Sequence, residues 1–120
     1  MAQGTIKRTF DTKISTSIFT PSSGIEVKTQ YAYVQGDMAY INLRLYRSTA
    51  FTSRTTVGTF SEGFRPKTMV CRGVAAMAST YDNQLNGNCE FFIATNGALT
   101  LDINSYNTGK EVNIVCTYQV

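Results

Sequence analysis

The strongest constraint on the fold is a period-two alternation of apolar and polar side chains, repeated in short segments along the chain. Side chains of a β-strand point alternately to opposite faces of a sheet, so this pattern predicts strands that each bury one face. The alternating residues that we expect to face the core are Ile41, Leu43, Leu45, Leu99, Leu101, Ile103, Val112, Ile114, Cys116 and Tyr118. The residues between them are mostly polar, which is the pattern of antiparallel sheets packed face to face and not of a parallel sheet.

About eight such segments follow one another, separated by turn-forming residues. They are Thr5–Phe10, Lys13–Thr20, Ile25–Gln35, Met38–Arg47, Arg54–Phe60, Thr68–Ser79, Asn88–Thr95 with Ala98–Asn104 beyond its turn, and Glu111–Val120. The first two are also compatible with one bent edge segment, and no window predicts an amphipathic helix. We therefore expect an all-β protein, an antiparallel β-sandwich of about eight strands with a jelly-roll-like arrangement.

Short turns support this interpretation. Gln35-Gly36-Asp37 joins two predicted strands by a very short connection, and Asn96-Gly97 is a dipeptide that tolerates the positive φ angles of a tight hairpin. Two longer polar stretches, 81–88 and 105–110, are predicted to be surface loops. At 120 residues, the chain has the size of one domain, and we expect residues 1–120 to share a single core.

Composition narrows the classes of function. There is no histidine, which excludes the usual serine and cysteine triads and most zinc sites, and the 8 acidic residues are scattered. Cys71, Cys89 and Cys116 match neither metal-ligand spacing nor an even disulfide framework, and we expect them to be reduced and mostly buried. These features predict a protein that is not an enzyme and holds no metal or cofactor.

The distribution of charged and apolar residues also limits the kinds of binding partner that we expect. The 11 basic residues are spread along the chain and give a net charge of only +3, so no nucleic-acid partner is expected. No apolar run reaches the length of a membrane span, and the first residues lack the apolar stretch of a secretion signal, so we expect no membrane insertion and no signal peptide.

Some outward positions of the predicted strands are aromatic or aliphatic instead of polar. Tyr40 and Tyr46 lie on the polar side of their strand, Phe91 and Phe92 are adjacent, and Val74–Ala78 is apolar on both faces. Exposed apolar patches are uncommon on monomers, so one interpretation is an oligomer contact. The other is that tyrosines simply suit half-buried strand positions.

Three segments carry a resemblance to a known family. They are Ala39-Tyr-Ile-Asn-Leu-Arg-Leu45, Gly58-Thr-Phe-Ser-Glu-Gly-Phe-Arg-Pro66 and the hairpin Phe91-Phe-Ile-Ala-Thr-Asn-Gly-Ala-Leu-Thr-Leu101. Their order, from about Tyr31 to the C-terminus, resembles the head domains of receptor-binding and tail-fibre proteins from phages of Gram-positive bacteria. Phe60-Ser61 departs from the Leu-Pro pair of that family, whereas Gly63-Phe64-Arg65-Pro66 is intact.

The resemblance implies a jelly-roll head at the tail tip or baseplate of a virion, made in the host cytoplasm, that assembles as a homotrimer beside other tail or baseplate proteins. It implies binding to a cell-surface polysaccharide. It also implies that residues 1–24 form an edge strand or a connection to a preceding fibre segment. In the Gly-Phe-Arg-Pro corner itself, we expect Gly63 to permit the bend, Phe64 to close the end of the sandwich and Arg65 to bind loop carbonyls.

Saccharide recognition needs an aromatic face for the sugar's C–H surface and fixed polar groups for its hydroxyls. The candidate residues that combine these features are Tyr81, Asp82, Asn83 and Gln84 in one loop, Tyr106 and Asn107 in another, and Arg44 with Tyr46 as a second patch. Ordinary turn chemistry is the alternative for each loop residue. Two further hypotheses stay open for the whole chain: a structural trimerisation or decoration module of a virion or surface fibre that binds no sugar, and a carbohydrate-binding module of a larger surface protein.

Overall fold

Nine antiparallel β-strands make up the regular structure of the part of the chain that the structure describes. The computed structural model describes residues 12–79, 85–103 and 108–120. Its strands are β1 (Thr12–Ser15), β2 (Phe19–Pro21), β3 (Glu26–Gln35), β4 (Met38–Phe51), β5 (Thr55–Phe60), β6 (Cys71–Ala78), β7 (Leu85–Ile93), β8 (Ala98–Asp102) and β9 (Gly109–Gln119). The all-β, antiparallel prediction is confirmed. Within the described ranges, no helix has the length and apolar character needed to cross a membrane.

All nine strands belong to one curled sheet with the order β1-β3-β4-β9-β6-β7-β8-β5-β2. The sheet curls until its two ends approach each other, because β2 lies at one edge and yet contacts β3 near the other. The side-chain oxygen Oε1 of Gln30 in β3 accepts hydrogen bonds from the backbone nitrogens of Ile18 (2.8 Å) and Phe19 (3.2 Å). Opposing halves of the sheet thus enclose the core, which agrees broadly with a sandwich.

The core consists of the inward side chains that the alternation predicts. Of the expected inward residues, only Cys116 is half-buried and the other nine are buried. Each fully buried aliphatic side chain of this kind stabilises the fold by about 1.5–3 kcal/mol relative to an exposed one. The period-two pattern therefore assigns the faces of β4, β8 and β9 correctly.

Several predicted strands have different bounds in the structure; for example, β4 extends to Phe51 and β7 covers Leu85–Ile93. Two of the differences have a clear physical cause. The prediction of one strand over Lys13–Thr20 is wrong, because the chain breaks pairing at residues 16–18 to cross from β3 at one edge of the sheet to β5 at the other. The strand predicted from Thr68 begins only at Cys71, since the preceding segment binds β9 instead: the Lys67 nitrogen donates to the Gln119 carbonyl oxygen at 2.9 Å. The predicted strand Thr5–Phe10 lies outside the described residues.

The Gly63–Pro66 corner has the structural role that we expect from its sequence. Gly63 adopts a φ of 89°, Phe64 is buried, and Arg65 Nε donates to the Phe60 carbonyl oxygen at 2.8 Å. The Phe60 nitrogen in turn donates to the carbonyl oxygen of Gly97, in the β7–β8 turn, at 2.8 Å. This corner joins two turns that are distant in sequence at one end of the sheet.

Gly97 is predicted to be the least replaceable residue of this corner. Its φ is +91°, and a Cβ there would lie 2.6 Å from the Phe60 carbonyl oxygen. Gly24 has a similar φ of +82°, but a Cβ would meet nothing within 4 Å. Backbone strain alone should make Gly24→Ala cost about 1–2 kcal/mol, and the added clash should bring Gly97→Ala to about 3 kcal/mol or more. Urea denaturation of both variants measures the difference, and equal losses would contradict it.

Candidate functional site

An open depression on the described surface lies beside the turn that joins β3 to β4. It has a volume of about 440 Å³ and is lined by Tyr33, Gln35, Gly36, Asp37, Met38, Ala39, Tyr40 and Thr117. The hairpin register pairs Gln35 with Met38, which leaves a connection of only Gly36 and Asp37. Gly36 supplies the positive φ of 62° that so tight a turn requires.

A stacked pair of tyrosines forms the aromatic part of this site. Tyr33 and Tyr40 are directly opposite in the register, and their rings lie 5.1 Å apart at an angle of 20°. Tyr31 contacts the edge of this pair, with its ring 6.3 Å from that of Tyr33. These rings lie on the outer face of the sheet because the residues between them, Ala32 and Ala39 among others, point into the core.

Polar groups surround the aromatic pair. Thr117 of β9 is opposite Tyr40, and Gln35 and Asp37 lie at the turn. The C-terminal end of the chain holds this turn in place: Gln119 Nε2 donates to Asp37 Oδ2 and the Val120 nitrogen donates to the Asp37 carbonyl oxygen, both at 2.7 Å. Asp37, at the rim of the depression, is therefore held in place by hydrogen bonds within the protein.

The arrangement suits noncovalent binding of a ligand with an apolar face and several hydroxyl groups. Its volume falls within the usual range for small-molecule sites. Aromatic side chains offer a flat surface, while the amide of Gln35, the hydroxyl of Thr117 and the carboxylate of Asp37 offer hydrogen-bond donors and acceptors. Within the described residues, no group of three or more histidine, cysteine or acidic side chains is placed to hold a metal ion.

Arg44 and Tyr46, predicted as a saccharide patch, lie together on the outer face of β4 but away from this depression. Six residues separate Tyr46 from Tyr40, which corresponds to about 20 Å along a strand. Arg44 Nε donates to Glu111 Oε1 at 2.9 Å, and Lys28 Nζ lies 5.3 Å from the centre of the Tyr46 ring. Both side chains are already engaged in contacts within the protein.

Glu111 explains why Arg44 has this position. Glu111 is only 1% exposed although it lies on the outer face of β9, and its second carboxylate oxygen accepts a hydrogen bond from Asn113 Nδ2 at 3.4 Å. A buried carboxylate is strongly unfavourable unless it is paired, so Arg44 neutralises a charge that the fold has removed from water. Arg44 thus has a structural role, and binding of a saccharide at this patch stays a prediction.

The outward-facing aromatic residue Phe92 also has contacts within the protein. Phe91 is buried and Phe92 faces outward, as the adjacent pair requires. The guanidinium carbons of Arg54 and Arg72 lie 4.8 Å and 5.4 Å from the centre of the Phe92 ring. Cation–π contacts of this kind stabilise an exposed ring by about 0.5–1 kcal/mol each.

The remaining predicted site residues, Tyr81, Asp82, Asn83, Gln84, Tyr106 and Asn107, lie outside the described residues. The sequence interpretation did not select Tyr33 and Tyr40 as a site, although a signal for them exists. A two-residue turn at Gly36-Asp37 places position 33 opposite position 40, and both positions are tyrosine. Counting the hairpin register back from the turn is therefore enough to find the pair.

The structural role of Arg44 gives a stability prediction. Arg44→Met leaves the Glu111 carboxylate buried beside an apolar side chain, and we expect it to lower the free energy of unfolding by about 2–3 kcal/mol. The double variant Arg44→Met/Glu111→Leu removes both charges and should recover most of that loss. Chemical denaturation of the two single variants and the double variant measures the coupling. If the losses in free energy of unfolding were additive in the double variant, they would contradict the structural role of Arg44.

Comparison with known proteins adds no family to these observations. Neither the scan against protein-family models nor the search of curated proteins finds a match to this sequence.

Proposed function

We propose that this chain is a non-catalytic receptor-binding head domain of a phage tail or baseplate, which adheres to a host cell-surface saccharide as a homotrimer. The observation that carries the proposal is the open depression with the stacked Tyr33–Tyr40 pair and its ordered polar rim. The resemblance of the strand and corner segments to phage head domains supplies the biological setting, a virion tail tip with other tail or baseplate proteins as neighbours.

The chemistry of the depression favours a saccharide over other small ligands. Pyranose rings present an apolar C–H face that packs on aromatic rings, and their hydroxyls need short hydrogen bonds to fixed groups. Asp37 is the only charged side chain among the lining residues, and its carboxylate would repel an acidic group. Neutral sugars of one or two rings are therefore the expected ligands at this position.

Substitution of the tyrosine pair tests the binding site. On a glycan array and then by calorimetric titration with the best ligand, Tyr40→Ala should weaken binding about tenfold, because it removes one face of the stack. Tyr33→Ala/Tyr40→Ala should abolish detectable binding, whereas Tyr40→Phe should retain most of it.

Phe92→Ala is the control, since Phe92 is an outward-facing aromatic residue that does not line the depression or contact the tyrosine pair. Asn83→Ala and Tyr106→Ala examine the two loops predicted from sequence. Loss of binding in these loop variants, with wild-type affinity in Tyr40→Ala, would place the saccharide at the loops. A wild-type protein that binds no glycan and no host cell-wall preparation would favour the structural module.

Two exposed aliphatic side chains support assembly with further copies of the chain. Val74 is 65% exposed and Val115 is 55% exposed. Val74 lies in β6 and Val115 in the adjacent strand β9, and both point to the outer face. Each lies two residues from the register pair of Ala76 with Asn113. An apolar contact that carries no charge of its own suits self-association, because identical chains bear the same net charge of +3.

Light scattering after size exclusion tests this contact. We expect the mass of a trimer for the wild type and of a monomer for Val74→Lys/Val115→Lys, in which like charges would be buried together. Met69→Lys is the control, since Met69 is 76% exposed but lies in the segment before β6. A monomeric wild type that still binds sugar would instead favour a carbohydrate-binding module of a larger surface protein.

A further inference from the structure

Two of the three cysteines meet on the inner side of neighbouring strands. Cys71 is the first residue of β6, and Cys116 lies in β9, the strand next to β6 in the sheet. Cys71 shares the inward side of β6 with the buried Ala75, and Cys116 shares the inward side of β9 with the buried Ile114. Both cysteines are half-buried and pack against the core. Their side chains therefore point to the same side of the sheet.

The two thiols are in direct contact. Cys71 and Cys116 share a side-chain hydrogen bond, and this bond lowers the pKa of the Cys71 thiol to about 7. The same bond, together with burial, raises the pKa of Cys116. Of the pair, Cys71 is therefore the thiol that loses its proton more readily. A thiolate is the reactive form of cysteine in exchange with disulfides.

The other titratable groups around Cys71 do not compete for this role. Tyr118 of β9 donates its hydroxyl to the Phe64 carbonyl oxygen, and burial raises its pKa, so it stays protonated. Lys67 lies in the segment before β6 and lines the same surface depression as Cys71.

Cys71 is accessible to small molecules. A depression of about 270 Å³ opens at this end of the sheet, lined by residues 66–71 on one side and 117–119 on the other. Cys71 forms part of its wall. A low-molecular-weight reagent can therefore approach the Cys71 side of the pair from solvent.

Cys89 provides an internal contrast. It lies in β7, is only 4% exposed, and has its pKa raised to about 11 by burial and by the charge of Asp102. It is therefore protonated at neutral pH and shielded from reagents. The three cysteines divide into one reactive pair and one inert thiol.

We propose that Cys71 and Cys116 are a thiol modification site that forms a reversible intramolecular disulfide by exchange with low-molecular-weight disulfides such as oxidised glutathione. This site is independent of the saccharide depression in its chemistry. It is adjacent in space, because Thr117 follows Cys116 and lines both depressions.

The exchange proceeds in two balanced steps. The Cys71 thiolate attacks one sulfur of the oxidised glutathione, breaks its S–S bond and expels one glutathione thiolate, leaving a mixed disulfide on Cys71. The Cys116 thiol then loses its proton to solvent and attacks the Cys71 sulfur, which expels the second glutathione. The two protein thiols are oxidised to one disulfide, and one glutathione disulfide is reduced to two thiols.

The disulfide would link the first residue of β6 covalently to β9. At present, this connection depends on backbone contacts such as the bond from the Lys67 nitrogen to the Gln119 carbonyl oxygen. A covalent link across residues 71 to 116 also restricts the unfolded chain. We therefore expect oxidation to raise the Tm by about 5 °C or more.

Incubation of the folded chain with oxidised glutathione tests the proposal. Intact mass spectrometry should show the loss of two hydrogens, and non-reducing peptide mapping should find a peptide that joins Cys71 to Cys116. Cys89 should react with a thiol reagent only after unfolding. Persistence of a glutathione adduct on Cys71, a disulfide that includes Cys89, or no reaction would each overturn the proposal.

Two variants separate reactivity from pairing. Cys116→Ser should stop the reaction at a stable single-glutathione adduct on Cys71, and Cys89→Ser should form the same disulfide as the wild type. The pH profile of iodoacetamide alkylation gives a second readout. The midpoint for Cys71 should lie near pH 7 in the wild type and rise in a Cys116→Ala variant, which lacks the hydrogen-bonding thiol. An unchanged midpoint would show that the two thiols are not in contact.

Discussion

Nine consecutive register pairs, from Met38 with Gln119 to Tyr46 with Glu111, join β4 to β9 at the centre of the sheet. This pairing assigns each residue of both strands to one of two faces, because successive side chains of a strand point in opposite directions. A shift of one residue would move the leucines of β4 to solvent and the tyrosines to the core. Burial of the inner aliphatic row against the opposing half of the curled sheet therefore stabilises this register above all others.

The two ends of the β4–β9 outer face have different characters. At the turn end, the stacked tyrosines and the hydrogen bonds to Asp37 leave an open, ordered depression. At the other end, Arg44 and Glu111 form a largely buried ion pair. The first arrangement offers unsatisfied hydrogen-bonding groups and aromatic surface to a ligand, whereas the second satisfies its polar groups internally. This physical difference is the reason that our proposal places the ligand at the turn end.

Sequence reasoning predicts most of the fold and part of the candidate site. The alternation assigns the inner and outer residues of β4, β8 and β9, and Gly36-Asp37 marks the hairpin that creates the depression. Sequence reasoning is wrong at residues 16–18, which it includes in a strand. The strand pairing is interrupted there because the chain passes from one edge of the sheet to the other. Local propensity carries no information about such a crossing.

The burial of Glu111 is a further feature that local sequence does not predict. Glu111 lies beside a turn in sequence and alternates outward, which predicts a solvated carboxylate, yet it is almost fully buried and paired with Arg44, a residue 67 positions away. The contact between Cys71 and Cys116 is equally invisible in sequence. Both depend on which distant strands become neighbours, and spacing along the chain does not encode that.

The sequence by itself therefore determined the strand periodicity, the faces of the strands and the positions of the tight turns, because these depend on residues within a few positions of one another. The tertiary structure alone decided the strand order, the closure of the sheet through Gln30, the burial of Glu111 and the meeting of two thiols. These features arise from contacts between residues that are distant in sequence, and such contacts are selected by burial of the whole core.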